Sequence, residues 1–130
     1  MIELAATLAR HVLPGDVLAV EGPLGSGKTT FVRGLARALL GADPVTSPTF
    51  TFRHTYRRAG APALEHLDLY RIDDEAELVE TGLEEAFGED VVTVVEWADH
   101  APSLVARPTW RITIAGSGEG PRTVSIARGA

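Results

Sequence analysis

The nine positions from Gly22 to Thr30 hold three glycines, one lysine and two threonines, and they constrain this chain more than any other stretch of it. Gly22, Gly27, Lys28 and Thr29 satisfy G-x-x-x-x-G-K-[ST], the spacing of a phosphate-cradling loop. Such a loop uses glycine so that backbone N–H groups can close around phosphate oxygens without intruding side chains. It needs a helix behind it, whose N-terminus adds the positive end of a dipole. Both flanks meet the demand. "DVLAVEG" reads as a short apolar strand running into the loop, and "KTTFVRGLARALLG" carries Phe31, Val32, Leu35, Leu39 and Leu40 at helical spacing before a stop at Gly41. Strand, glycine loop and helix in that order predict a phosphate site; the bland alternative is a glycine-rich connection without a ligand.

The remaining segments predict an α/β fold. "ELAATLARHVL" reads as an amphipathic helix with Leu4, Leu8 and Val12 on one face, stopping at Pro14-Gly15. "SPTFTFRHTYRR" leans to strand after Pro48, and a turn at "AGAP" leads into "ALEHLDLYRI". There Leu67 and Leu69 face one way while His66, Asp68 and Tyr70 face the other. "DDEAELVETGLEEAFG" reads as two short acidic helices broken at Gly82. "VVTVVEW" is a nearly unbroken apolar run ending in an acid, as in a central strand covered on both faces. Pro102 and Pro108 flank a loop, and "TWRITIAG" and "RTVSIARG" close the chain as a hairpin. The expectation is one P-loop NTPase-type domain over 1–130, a mixed central β-sheet flanked by helices with a closing β-hairpin.

Composition removes several function classes. A net charge of -6 argues against a broad electrostatic grip on nucleic acid, although a basic patch from Arg53 to Arg58 keeps local tRNA contact open. The absence of cysteine excludes disulfides, thiolate metal sites and thiol nucleophiles, and the four histidines have no metal-ligand spacing. The N-terminus lacks a signal-peptide pattern and no apolar run is long enough to span a bilayer, so the expected location is the cytoplasm, away from membranes.

In a phosphate loop, Lys28 reaches the β- and γ-phosphates and the Thr29 hydroxyl ligates Mg²⁺; Thr30 caps or packs. Magnesium also needs a carboxylate, direct or through water. Glu96 ends its predicted strand where open α/β sheets place ligands, and Asp68 lies on the polar side of another. Their bland readings are a sheet-edge acid and a solvated strand face. "SPTFT" is either a proline-initiated strand or a switch loop in which Ser47 and Thr49 respond to the γ-phosphate. Trp97 is either core or a site aromatic, and Trp110 packs within its strand.

"GPLGSGKTTFVRG", "VTSPTFT", "HLDLYRI", "ETGLEEAF", "VVEWAD" and "GPRTVSI" follow one another in an order that resembles the bacterial TsaE (formerly YjeE) family of tRNA threonylcarbamoyladenosine biosynthesis ATPases. The resemblance runs from about Asp16 to the end. It implies a slow ATPase that binds ATP and Mg²⁺ and works with the TsaB–TsaD heterodimer. That assembly modifies the adenosine beside the anticodon of ANN-decoding tRNAs, so tRNA is met through the complex; the carbamoyl chemistry belongs to TsaD. Carried onto this sequence, Gly25, Ser26, Gly27, Lys28, Thr29 and Thr30 hold phosphate, and Thr29 and Glu96 hold magnesium. Lys28, Asp68 and Glu96 are the catalytic set, Trp97 adjoins the nucleotide, and Arg122 approaches it from the last hairpin. The chain departs from the family where few residues precede the first helix, near the adenine pocket, and at Pro23, where relatives often carry aspartate. Two other readings compete: a small-molecule kinase, which needs a lid and a second pocket, and a nucleotide-gated assembly module with incidental hydrolysis. A GTPase would need an N-K-x-D base-reading loop, which the sequence lacks.

Overall fold

In the computed structural model, which describes residues 2–41, 45–50, 52–80, 86–105, 107–116 and 118–129 (backbone only at 2 and 45–50), the two apolar runs become β1 (Val17–Glu21) and β5 (Val91–Glu96). They pair in parallel, with Val20 opposite Glu96. β4 (Ala63–Asp68) lies parallel on the far side of β5, and β6 (Trp110–Ala115) lies parallel on the far side of β1. Antiparallel strands extend both edges: β3 (Arg53–Arg57) and β2 (Val45–Phe50) beyond β4, and β7 (Thr123–Arg128) beyond β6. The sheet is therefore mixed and seven-stranded, in the order β2-β3-β4-β5-β1-β6-β7.

Side-chain alternation divides the core between the two faces. Leu18, Val20, Val92, Val94, Ile112 and Ile114 bury against Phe31, Val32 and Leu35 of α2 (Lys28–Leu40) and Ala5 and Leu8 of α1 (Ile2–Ala9). Ala19, Leu67, Leu69 and Val95 pack on the opposite face with Leu78 of α3 (Ala76–Glu80), Ala86, Ala98 and Ala101. β5 is thus covered on both sides, as its apolar run predicts. Gly41 ends α2 with φ 92, and its N–H returns to the Arg37 carbonyl, a glycine stop of the expected kind.

Three local expectations change. Leu4 is 42% exposed, whereas Ala5 is fully buried. α1 ends at Ala9, so Val12 lies beyond it, and the small Ala5 side chain lets α1 lie close against α2. The strand expected only after Pro48 begins at Val45 and includes that proline. It tolerates proline because β2 is the edge strand, where a missing N–H breaks no interior ladder. The basic patch from Arg53 to Arg58 also loses a member. Arg53 is buried and paired with Glu65, and Arg58 donates to the Leu40 carbonyl at the end of α2. The first acidic helix forms as α3; Gly82 and the second fall outside the described residues.

Candidate nucleotide site

β1, β4 and β5 run in the same direction, so Glu21, Asp68 and Glu96 end at one edge of the sheet, where the glycine loop leaves β1 for α2. This is the edge at which open α/β sheets bind ligands. An open cleft of about 290 Å³ lies there, walled by Gly25, Lys28, Thr29, Asp68, Glu96 and Trp97. Leu24 and Tyr70 also line it, and the sequence reading assigned neither a role at the site. Both are exposed, and nothing in the spacing of a lone leucine or tyrosine marks a site wall.

Gly22 and Gly27 shape the loop in different ways. A Cβ on Gly22 would stand 2.6 Å from the Ile114 carbonyl oxygen and 2.7 Å from Ser26 Oγ, so only glycine lets the loop pass β6 this closely. Gly27 begins α2 with φ 102, in the left-handed region that glycine adopts without strain. A Cβ on Gly25 would meet nothing within 4 Å, which leaves the space over the loop open. Gly22→Ala is expected to destabilise the protein by about 1–3 kcal/mol, the usual cost of overpacking a fixed site. Urea denaturation measures this, and an unchanged midpoint would mean that the loop can retreat from β6.

Lys28 is buried, and its Nζ donates to the Gly22 carbonyl at 2.6 Å and the Pro23 carbonyl at 3.0 Å. It also lies 4.1 Å from the centre of the Trp97 ring. Burial lowers its pKa below the ordinary lysine value, while the nearby Glu96 and Asp68 carboxylates act in the opposite direction. Glu96, which the bland reading placed on a sheet edge, is 2% exposed at the end of the central strand. Both its carboxylate oxygens lie 3.3 Å from Thr29 Oγ1, and Oε2 lies 2.6 Å from His66 Nε2. The structure thus joins Lys28, Thr29 and Glu96 in one group. Asp68 stands on the wall beside them, its Oδ1 accepting from the Tyr70 amide at 3.1 Å.

Trp97 meets both of its expectations in part: half-buried, it packs against the core cluster of Ala98 and Val95 and also lines the cleft. Its ring covers Lys28 and lies 5.0 Å from that of Tyr70, and its backbone is left-handed at φ 59. Among the described residues it is the lone non-glycine with positive φ, a conformation that persists in a bulky residue when its surroundings impose it. Ser26 Oγ is buried without a hydrogen-bond partner, and Thr30 is exposed on the cleft wall, neither capping nor packing. Arg122 precedes β7 and directs its guanidinium at carbonyls: Ser26 at 2.9 Å, Gly25 at 3.3 Å, and Gly118 and Gly120 at 2.6 Å each. It ties the closing hairpin to the glycine loop. Ser47 and Thr49 lie in β2, where their side chains are outside the described residues.

A solvated strand face is the bland alternative for His66 with Asp68 and Tyr70, but His66 is buried and bonded to Glu96. Period-2 alternation tells which face a residue joins, and a polar residue facing a buried carboxylate looks the same as one facing water. A second cavity of about 540 Å³ adjoins the cleft through shared walls at Asp68 and Tyr70 and extends past Phe52 to Glu77. The described residues thus leave a second pocket beside the candidate cleft, one of the two features a small-molecule kinase needs. Among the described residues, no group of three or more His, Cys, Asp and Glu is placed to hold a metal ion, so a cation at this site needs hydroxyl and ligand oxygens besides Glu96. No helix among these residues is long and apolar enough to cross a membrane.

Comparison with known proteins places this geometry. The chain is 39% identical over 123 residues to the tRNA threonylcarbamoyladenosine biosynthesis protein TsaE of Bacillus subtilis, an alignment covering 95% of this chain and 76% of the relative. It is 40% identical over 106 residues to the protein of the same name from Mycobacterium tuberculosis, covering 75% of this chain and 62% of that one. The crystal structure of Bacillus subtilis YdiB superposes with a TM-score of 0.75 at 33% identity, over 98% of this chain and 77% of YdiB. A sequence model described as "Threonylcarbamoyl adenosine biosynthesis protein TsaE" matches residues 1–124, and the chain belongs to that family.

Proposed function

We propose that this protein binds ATP with Mg²⁺ at the glycine loop, hydrolyses it slowly, and through that cycle supports threonylcarbamoyl modification of tRNA in partnership with TsaB–TsaD. The observation that carries the nucleotide reading is the joining of Lys28, Thr29 and Glu96 beneath an open glycine cradle. The residues fit the ion as well as the phosphates. Neighbouring oxygens around an octahedral Mg²⁺ lie about 3 Å apart, and the Thr29 hydroxyl stands 3.3 Å from both Glu96 oxygens. That spacing is long for a hydrogen bond between them and short enough for two ligands of one cation. Bound magnesium supplies charge neutralisation on the phosphates. Lys28 exchanges its two carbonyl partners for phosphate oxygens, and the α2 N-terminus adds its dipole. Asp68, held by the Tyr70 amide, orients water at the cleft wall.

The overall charge of -6 makes independent binding to tRNA weak, so the route to tRNA runs through the protein partners. Cytoplasmic location follows from that substrate. A tenfold tighter association with TsaB–TsaD in the ATP state than in the ADP state requires only about 1.4 kcal/mol of differential contact. Calorimetry with a non-hydrolysable ATP analogue and with ADP tests this coupling, and equal affinities would remove it.

Substitutions separate the roles at the site. Thr29→Ala and Glu96→Ala are expected to weaken Mg²⁺-dependent nucleotide binding by about tenfold or more while leaving metal-free binding nearly intact. Asp68→Ala should spare binding and slow turnover. A Glu96→Ala protein with the parental magnesium dependence would take Glu96 out of the metal site. The kinase reading draws support from the 540 Å³ cavity beside Asp68. It predicts turnover stimulated by a small phosphoacceptor, whereas the TsaE reading predicts stimulation by TsaB–TsaD.

A further inference from the structure

The proposed task of Glu96 requires its carboxylate to keep one orientation. A glutamate side chain has three rotatable bonds, and Lys28 stands close enough for its charge to feel this carboxylate. Rotation toward that lysine would neutralise both groups and draw the acid away from Thr29. Besides the long contacts to the Thr29 hydroxyl, the structure places a closer donor against this. His66 Nε2 lies 2.6 Å from Glu96 Oε2, and the two residues are 5% and 2% exposed.

The position of His66 is itself fixed. β4 is paired on both sides, with His66 opposite His54 of β3 and Val94 of β5. Asp68 stands opposite Glu96, so the imidazole reaches Glu96 from one pleat earlier on the neighbouring strand. The His54 ring lies 6.1 Å away, tilted by 35°, and closes the far side. Nε2 carries its proton both in the imidazolium and in the tautomer this contact selects, so the hydrogen bond requires no particular charge on the ring.

We infer that His66 is a positioning residue for the nucleotide-bound cation, its Nε2–H holding the Glu96 carboxylate in the orientation that faces Thr29. The inference rests on the reading of Glu96 as a magnesium ligand. Groups that hydrogen-bond a metal ligand from behind set its orientation, and their loss typically costs about tenfold to a hundredfold in metal affinity or activity.

The test measures calorimetric affinity for a non-hydrolysable ATP analogue as a function of Mg²⁺ concentration. His66→Leu keeps comparable bulk and removes the donor; His66→Gln returns an N–H at similar reach. The expected result for His66→Leu is a half-saturating Mg²⁺ concentration raised about tenfold or more, with metal-free affinity for the analogue unchanged. His66→Gln should recover most of the parental requirement. In a Glu96→Gln background, His66→Leu should add nothing further, because the two act on one carboxylate. His66→Asn, whose amide falls short of Glu96, replaces leucine if that variant does not fold, with the same expectation. A parental Mg²⁺ requirement in His66→Leu beside a shifted one in Glu96→Gln overturns the role of His66 alone. Metal-free affinity that falls in parallel overturns it too, since that is the mark of general damage. An unshifted Glu96→Gln protein overturns the metal reading on which the inference stands.

Discussion

Lys28→Ala is expected to lose about thirtyfold or more in affinity for MgATP, equivalent to about 2 kcal/mol or more. Its unfolding free energy without nucleotide should change by less than about 1 kcal/mol. The asymmetry follows from what the lysine touches in the free protein. Its partners are two loop carbonyls and the face of Trp97, and burial already disfavours its charge. The fold tolerates this cation beside Glu96 and Asp68, and a triphosphate replaces its two neutral carbonyl partners with charged oxygens. Calorimetry for affinity and urea denaturation for stability check both halves. If MgATP protects the variant against unfolding as well as it protects the parent, phosphate is held elsewhere.

The largest effect on stability is expected at Glu65. Its carboxylate receives Arg53 Nε at 3.0 Å, a second Arg53 nitrogen at 3.3 Å, and the Thr55 hydroxyl at 2.9 and 3.1 Å. Arg53 and Glu65 are 8% and 3% exposed. Glu65→Ala would leave a guanidinium buried without its counter-charge, which typically costs about 3–5 kcal/mol. Glu65→Gln keeps an acceptor oxygen and should lose less. Odd-numbered positions of β4 face away from α2, so the pair lies across the sheet from the nucleotide cleft. The folded fraction of either variant should therefore bind nucleotide normally. A loss below about 1 kcal/mol for the alanine variant would mean that water reaches Arg53 and replaces the acid.

The parts of this site legible in the sequence are those fixed by local spacing. The loop motif places Lys28 and Thr29 by covalent geometry, and an apolar run ending in an acid places Glu96 at the end of a buried strand. Strand order was not legible. Nothing local to β1 says that its neighbours are β5 and β6, because pairings between distant segments depend on which faces can be covered together. Leu4 was misread for a related reason. Spacing of four residues drifts around a helix, and the choice between Leu4 and Ala5 for the buried stripe depends on how closely α2 approaches. The pairings of His66 and Arg53 are not legible because polar residues in a strand suggest solvent, and their partners Glu96 and Glu65 come from other positions in the sheet. Resemblance puts Arg122 near the nucleotide; its contacts with the Ser26 and Gly25 carbonyls of the glycine loop depend on the three-dimensional path of the hairpin, which no local spacing records.

The most direct measurement is a crystal structure of the protein with Mg²⁺ and a non-hydrolysable ATP analogue. The account predicts β- and γ-phosphates over Gly25 to Thr29, Lys28 Nζ moved from the Gly22 and Pro23 carbonyls onto phosphate oxygens, and the metal beside Thr29 Oγ1 and the Glu96 carboxylate. A triphosphate seated in the larger cavity past Phe52, or a metal held by Asp68 with Glu96 taking no part, would contradict it.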